Sequence, residues 1–344
     1  MIRFECDYLE GAHPKILNLL LETNFVQEPG YGKDMYCEKA RSIIKEKCDL
    51  EDADIHFLVG GTQANKTVIA SILRPYQGVL SANTGHINIL ETGAIESTGH
   101  KVLPLHSDNG KITSLQVKEA YDNHFNNSSP EHIVQPGMVY ISHPTEIGTL
   151  YTKTELEELS KTCKSLGLPL FLDGARLGYG LTAEGTDVTL PDIARLCDVF
   201  YIGGTKVGAL FGEAVVITNP NFKNDFRYYI KQNGGLLAKG RLLGLQFLAL
   251  FEDNLYYDIS TNANKLSMKI KEAFKKKGYS FLIDSVTNQQ FPILSHDKIR
   301  ILQEKYTFSF WDKVDDNHNV VRFCTCWATK KEDVEELVKD IEKL

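Results

Sequence analysis

Four short stretches of this chain carry residue types that can do chemistry together. Gly60-Gly61-Thr62-Gln63 offers backbone N–H groups at a strand-to-helix junction, where the helix dipole favours one anionic group such as a phosphate. Gly85-His86, with Glu91 and Gly93 close behind, offers a flat ring. Asp173-Gly174-Ala175-Arg176 offers a carboxylate, and Gly203-Gly204-Thr205-Lys206 a primary amine. A phosphate cradle, a stacking ring, a carboxylate and a lysine are what pyridoxal phosphate requires. The lysine forms a Schiff base, and the carboxylate keeps the pyridine nitrogen protonated so that the ring absorbs an electron pair. Taken singly, each signal has a plainer reading. A lysine in a glycine-rich loop is ordinarily a solvated charge, an aspartate after a strand a turn residue, and a histidine a hydrogen-bonded structural group. Their order, each after a different apolar run, lifts the set above those readings.

The elements that must position these residues are legible in the hydrophobic pattern. Short apolar runs at residues 55–59, 78–82, 101–105, 138–142, 170–172, 199–202 and 214–218 alternate with helix-like stretches. Residues 152–166 show Leu156, Leu159, Cys163 and Leu166 at helical spacing, with a Thr152/Glu155 capping box and Gly167 as a stop. Such alternation predicts an α/β fold whose large domain holds a mostly parallel seven-stranded sheet covered on both faces. Ligands then bind beyond the carboxyl ends of the strands, where the four stretches lie. After Gly240 the texture changes to helices over 241–252 and 265–277, strands around 291–294 and 320–327, and a terminal helix over 331–343. We therefore expect a large domain over 1–250 and a small α+β domain over 251–344.

Composition narrows the function classes. The chain has 344 residues, 38 basic and 45 acidic, for a formal charge of −7, with 42 % hydrophobic residues. That supports a full core and argues against a dedicated nucleic-acid binder, which needs a concentrated basic surface. Seven scattered cysteines and no Cys-x-x-Cys read as reduced thiols in a cytoplasmic protein. The absence of any long apolar run predicts no membrane association. Lys275-Lys276-Lys277 before Gly278 reads as a solvated helix end. Two motifs nearly match. Residues 60–67 resemble a P-loop but carry Asn65 where the second glycine belongs. Residues 178–183 spell a dinucleotide fingerprint in the wrong context, with Gly185, Asp187 and Pro191 interrupting the helix that should follow, and read as a mobile loop. No metal-ligand spacing occurs among the histidines and carboxylates.

The pattern resembles the fold-type I pyridoxal-phosphate enzymes, and within them the threonine aldolase / β-eliminating lyase family. The matching stretches are Tyr31-Gly32-Lys33-Asp34, Gly61-Thr62-Gln63-Ala64-Asn65, His86 through Glu91 to Gly93, Thr145-Glu146-Ile147-Gly148, Asp173-Gly174-Ala175-Arg176, Gly204-Thr205-Lys206 and Val321-Arg322-Phe323. The resemblance implies that Lys206 holds pyridoxal phosphate, Asp173 pairs with its ring nitrogen, His86 stacks on the ring, Gly61 and Thr62 hold the phosphate, and Thr205 also contacts the cofactor. Arg176 and Arg322 would bind the substrate carboxylate as planar forks, Arg176 lying beside the cofactor as well. Tyr31 would sit at the edge of an active site shared between subunits of a homodimer or homotetramer. The implied reaction cleaves Cα–Cβ of a β-hydroxy amino acid, giving glycine and an aldehyde. A β-eliminating lyase or racemase on the same fold is the alternative. The family's Thr-His-Asn-Gly element reads Thr145-Glu146-Ile147-Gly148 here, so Glu146 or His86 would act as the base.

Overall fold

The computed structural model describes all 344 residues. Strand β1 (Ile2–Arg3) lies apart from the central sheet, which comprises β2 (Asp54–Leu58), β3 (Gln77–Ala82), β4 (Lys101–Leu105), β5 (Gln135–Ser142), β6 (Leu170–Asp173), β7 (Val199–Gly203) and β8 (Glu213–Ile217). The order across this sheet is β2-β8-β7-β6-β5-β3-β4, and β8 alone runs against its neighbours. All seven apolar runs are thus strands of one sheet, as the alternating pattern predicts. Side chains alternate between faces along each strand. Ile55, Leu80, Ile141, Leu172, Phe200 and Val216 enter one core of 45 buried residues, while Leu58, Val79, Tyr140, Phe171, Tyr201 and Val215 enter a second of 18. Helices Met35–Cys48 and Arg241–Phe251 cover the first face, and helix Gly61–Ile72 covers the second.

Local signals set the helix ends. Thr152 caps Lys153–Leu166 with a complete capping box, and Gly167 closes it in the left-handed region at φ 67°. Gly278, at φ 80°, ends the lysine-rich helix. That helix runs over Leu255–Lys276 and starts ten residues before the expected 265, because Tyr256, Ile259, Ala263, Leu266 and Ile270 continue one buried stripe. The segment over 178–183 also departs from expectation. Leu177–Leu181 is a short buried helix rather than a mobile loop. Its glycines lower its propensity but allow close packing: a Cβ on Gly178 would stand 2.4 Å from Ser260 Oγ on helix Leu255–Lys276. Pro191, expected to interrupt a helix, instead occupies the first turn of Leu190–Leu196, where its missing N–H costs nothing.

The C-terminal part builds β9 (Gln289–Gln290), β10 (Ile293–Ser295), β11 (Tyr306–Thr307), β12 (Ser309–Lys313) and β13 (His318–Cys324), with β13 pairing antiparallel to β9, β10 and β12. A separate core of 14 buried residues joins these strands to helices Leu255–Lys276 and Lys331–Lys343. Phe4 belongs to that core, and β1 pairs with β11. The division we propose, 1–250 and 251–344, is therefore crossed by the first residues of the chain, which bridge the two units.

Candidate active site

Residues beyond the carboxyl ends of β2, β3, β5, β6 and β7 meet in one cavity of about 380 Å³. It is lined by Gly60, Gly61, Thr62, His86, Glu146, Asp173, Arg176, Thr205 and Lys206 from the large sheet, and by Trp311 and Arg322 from the small unit. The volume falls within the range of roughly 300–1,000 Å³ usual for small-molecule sites. Of the residues to which the resemblance assigns a catalytic or binding role, only Tyr31 lies elsewhere. It is 44 % exposed, at φ 61°, in a separate hollow with Arg41, His56 and Arg227, and the Lys231 ammonium sits 5.3 Å from its ring centre.

Asp173 ends β6 and is 4 % exposed. Burial alone would raise its pKa, but the His86 charge and donors from Tyr140, Tyr201 and the Ala175 N–H hold it below the ordinary carboxylate range. Tyr140 OH donates to Oδ2 at 2.5 Å, Asn65 Nδ2 to the same oxygen at 3.2 Å, and the Ala175 N–H to Oδ1 at 2.9 Å. His86 is fixed through Nδ1, 2.7 Å from Glu91 Oε1, which also accepts from Asn65 Nδ2 at 2.8 Å. Burial pulls the His86 pKa down, yet its bond to Glu91 and the Asp173 charge raise it overall, which favours an imidazolium.

Lys206 follows β7 in a tight turn. Its pKa is lowered first by burial and then by the Arg176 charge, which favours the neutral, nucleophilic amine. Glu213 at the start of β8 faces the same cavity. It accepts from Gly204 N–H at 3.2 Å and from Thr205 Oγ1 at 2.9 Å, and burial pushes its pKa up to about 8. Thr205 therefore clamps Glu213 and so fixes the loop that carries Lys206.

Glu146 is buried, and its pKa is raised by desolvation. Its Oε1 accepts from the His86 N–H at 2.8 Å and from Ser142 Oγ at 2.7 Å. Its Oε2 has no protein partner and belongs to a residue lining the cavity. The two arginines differ. Arg176 gives Nε (2.7 Å) and one hydrogen of Nη2 (2.9 Å) to buried Asp7, which leaves Nη1 and the second Nη2 hydrogen for a ligand. Arg322 donates Nη2 to the Glu5 carbonyl at 2.9 Å and lies over the Trp311 ring at 5.2 Å, while its buried Nε is unpartnered.

Asp7, Tyr140, Ser142, Tyr201, Glu213 and Trp311 completed this site without being singled out in the sequence, and Asn65, noted there only within a motif, bridges Glu91 and Asp173. Tyr140 and Ser142 had a usable signal, since they share one face at the end of a strand that precedes the crevice. Asp7 had none, lying 169 residues from Arg176.

Comparison with known proteins agrees with this geometry. The model of the beta-eliminating lyase family matches residues 19–292. The chain belongs to the beta-eliminating lyase family. Within the family's neighbourhood, it is 30 % identical to a low specificity L-threonine aldolase of Pseudomonas aeruginosa, over 98 % of this chain and 96 % of that protein. It superposes on the Leishmania major threonine aldolase structure with a TM-score of 0.97 and 43 % identity, covering 100 % of this chain and 99 % of that one. An aspartate aminotransferase of Thermus thermophilus, 12 % identical, shares the fold at a TM-score of 0.72 over 100 % of this chain and 91 % of that one. The family's fold-type I architecture is thus the architecture of this chain. None of its helices is long and apolar enough to cross a membrane.

Proposed function

We propose that this chain is a pyridoxal-phosphate-dependent aldehyde-lyase of the threonine-aldolase type, cleaving Cα–Cβ of a β-hydroxy amino acid to glycine and an aldehyde. One observation carries the reading. A buried carboxylate, Glu146, keeps one oxygen free toward a cavity that also holds Asp173 and Lys206. The likeness to proteins named L-threonine aldolase supports it.

The residues present fit pyridoxal phosphate. Helix Gly61–Ile72 begins without a side-chain cap, so its first N–H groups remain free, and a Cβ at Gly60 would project into open space. Gly60, Gly61 and Thr62 would hold the phosphate, His86 would lie against the ring, and Asp173 would keep a proton on the ring nitrogen. Lys206 would supply the amine. Bound there, the cofactor offers an electron-accepting ring that stabilises negative charge at a substrate's α-carbon.

The chain's own groups do the rest. Arg322 and Arg176, which both line the cavity, would orient the substrate carboxylate and so set which bond at Cα faces the ring. Glu146 Oε2 takes the β-hydroxyl proton as Cα–Cβ breaks. The two donors on Oε1 keep that oxygen occupied and aim the other one at the substrate. Trp311, under Arg322, lines the same cavity and holds that guanidinium in place. We also propose an oligomer with shared sites, in which the exposed Tyr31 reaches a partner's cavity, and a cytoplasmic location in keeping with seven free thiols.

The test is the absorption and product spectrum of the purified protein. It should absorb visibly with bound cofactor, Lys206→Ala should lose that band, and L-threonine should yield acetaldehyde and glycine in equal amounts. Pyruvate and ammonia from another amino acid, with no acetaldehyde, would replace this reading by the β-eliminating one.

A further inference from the structure

Residues 140 and 142 lie two apart on β5 and so present side chains to the same face. Ser142 is the register partner of Asp173 on the neighbouring strand. Their two hydroxyls join the carboxylates whose tasks differ most. Ser142 Oγ donates to Glu146 Oε1 at 2.7 Å and lies 3.4 Å from Tyr140 OH, which itself donates to Asp173 Oδ2 at 2.5 Å. Ser142 has one hydroxyl proton and two acceptors within reach. A charged Glu146 holds that proton, since bonds to ionised acceptors are shorter and roughly twice as strong. A protonated Glu146 is a weaker acceptor, and the Ser142 O–H then turns to Tyr140. Tyr140, polarised by the bond it accepts, donates more strongly to Asp173.

We propose that Ser142 and Tyr140 are positioning residues that form a hydroxyl relay, through which the proton on Glu146 sets how firmly Asp173 is hydrogen-bonded. The proposal deepens the reading above and rests on it only for what Glu146 does to substrate. While Glu146 is charged and ready to accept a proton, Asp173 is least tied to Tyr140 and holds the ring-nitrogen proton most firmly. Once Glu146 carries the proton, Asp173 is drawn back toward Tyr140. Proton removal and electron withdrawal are thereby kept in step. The other groups facing Glu146 are the His86 N–H, the Tyr151 phenol and the Asp173 charge itself. None of them joins both carboxylates through hydroxyls.

A substrate-free titration of the cofactor-loaded protein tests the relay, because the ring's absorption band reports the state of its nitrogen. The wild-type band should shift in one step as Glu146 titrates, at a pH above the ordinary carboxylate value of 4.5. Ser142→Ala, Tyr140→Phe and Glu146→Gln should each lose the step, and Ser142→Thr should restore it. Ser142→Ala should also move the acidic limb of kcat/KM up by about one pH unit, since Glu146 loses a donor to its charged form. The band's amplitude shows that each variant is folded and loaded. A step that persists in Ser142→Ala or Tyr140→Phe, or a wild-type band with no step, overturns the relay. Whether Glu146 removes the substrate proton is decided separately, by kcat of Glu146→Gln, so either claim can fail alone.

Discussion

Three donors and one histidine hold a charge on Asp173 that burial opposes. Such a carboxylate stabilises a proton on a neighbouring ring nitrogen, and an amide cannot. Asp173→Asn should therefore lower kcat by about 10²–10³, the range found when one placed electrostatic group is removed. It should leave the fold intact, because the amide oxygen still accepts from the Ala175 N–H while the Tyr140 hydroxyl, which can also accept, takes a bond from the amide NH2. Kinetics on the loaded variant, with its thermal midpoint as a control, check this. Arg176 shows why residue roles are hard to assign from sequence. Its type suits a carboxylate fork, and one side of that guanidinium, Nε and one Nη2 hydrogen, is already spent on the buried carboxylate of Asp7. Asp173, His86 and Lys206 were legible because each follows its own strand. Glu213 was not, since what marks it is burial against a turn, which no spacing reveals.

Helix Leu177–Leu181 shows the same limit at the scale of an element. Two glycines in five residues argue against a helix by propensity. Tertiary contacts reverse that: the Tyr256 hydroxyl accepts from the Gly178 N–H at 3.0 Å, and Asn264 Nδ2 donates to the Tyr179 carbonyl at 2.8 Å. Gly178→Ala should accordingly destabilise the protein by about 1–3 kcal/mol through overpacking against Ser260 and Tyr256. Urea unfolding checks this, and a midpoint equal to wild type would contradict the packing argument. The seven central strands were readable because strands buried on both faces are continuous apolar runs. The terminal helix over residues 331–343 was readable from its amphipathic period, with Val334, Leu337 and Ile341 buried.

For the whole molecule, acid sensitivity follows from a buried base. His143 is fully buried, neither ring nitrogen has a partner, and desolvation lowers its pKa to about 4. In the unfolded chain it takes a proton near its ordinary value of 6.5. Between those values the unfolded state binds more protons, so stability is full above pH 6.5 and falls as the pH drops toward 4. The slope from this one group is up to about 1 kcal/mol per pH unit. His143→Leu should flatten it, seen as a smaller loss of urea midpoint between pH 6.5 and 4.5. An unchanged slope would assign the acid sensitivity to other groups.

The two units of the molecule meet at the cavity, the large one bringing Glu146, Asp173 and Lys206 and the small one Arg322 and Trp311. The proposed cleavage turns on a proton that Glu146 would take from the β-hydroxyl. The measurement that tests it most directly is kcat of Glu146→Gln with L-threonine, taken on protein whose visible cofactor band matches wild type. If Glu146 is the base, kcat should fall by about 10²–10⁴, as for loss of a general base. A kcat within twofold of wild type would contradict it.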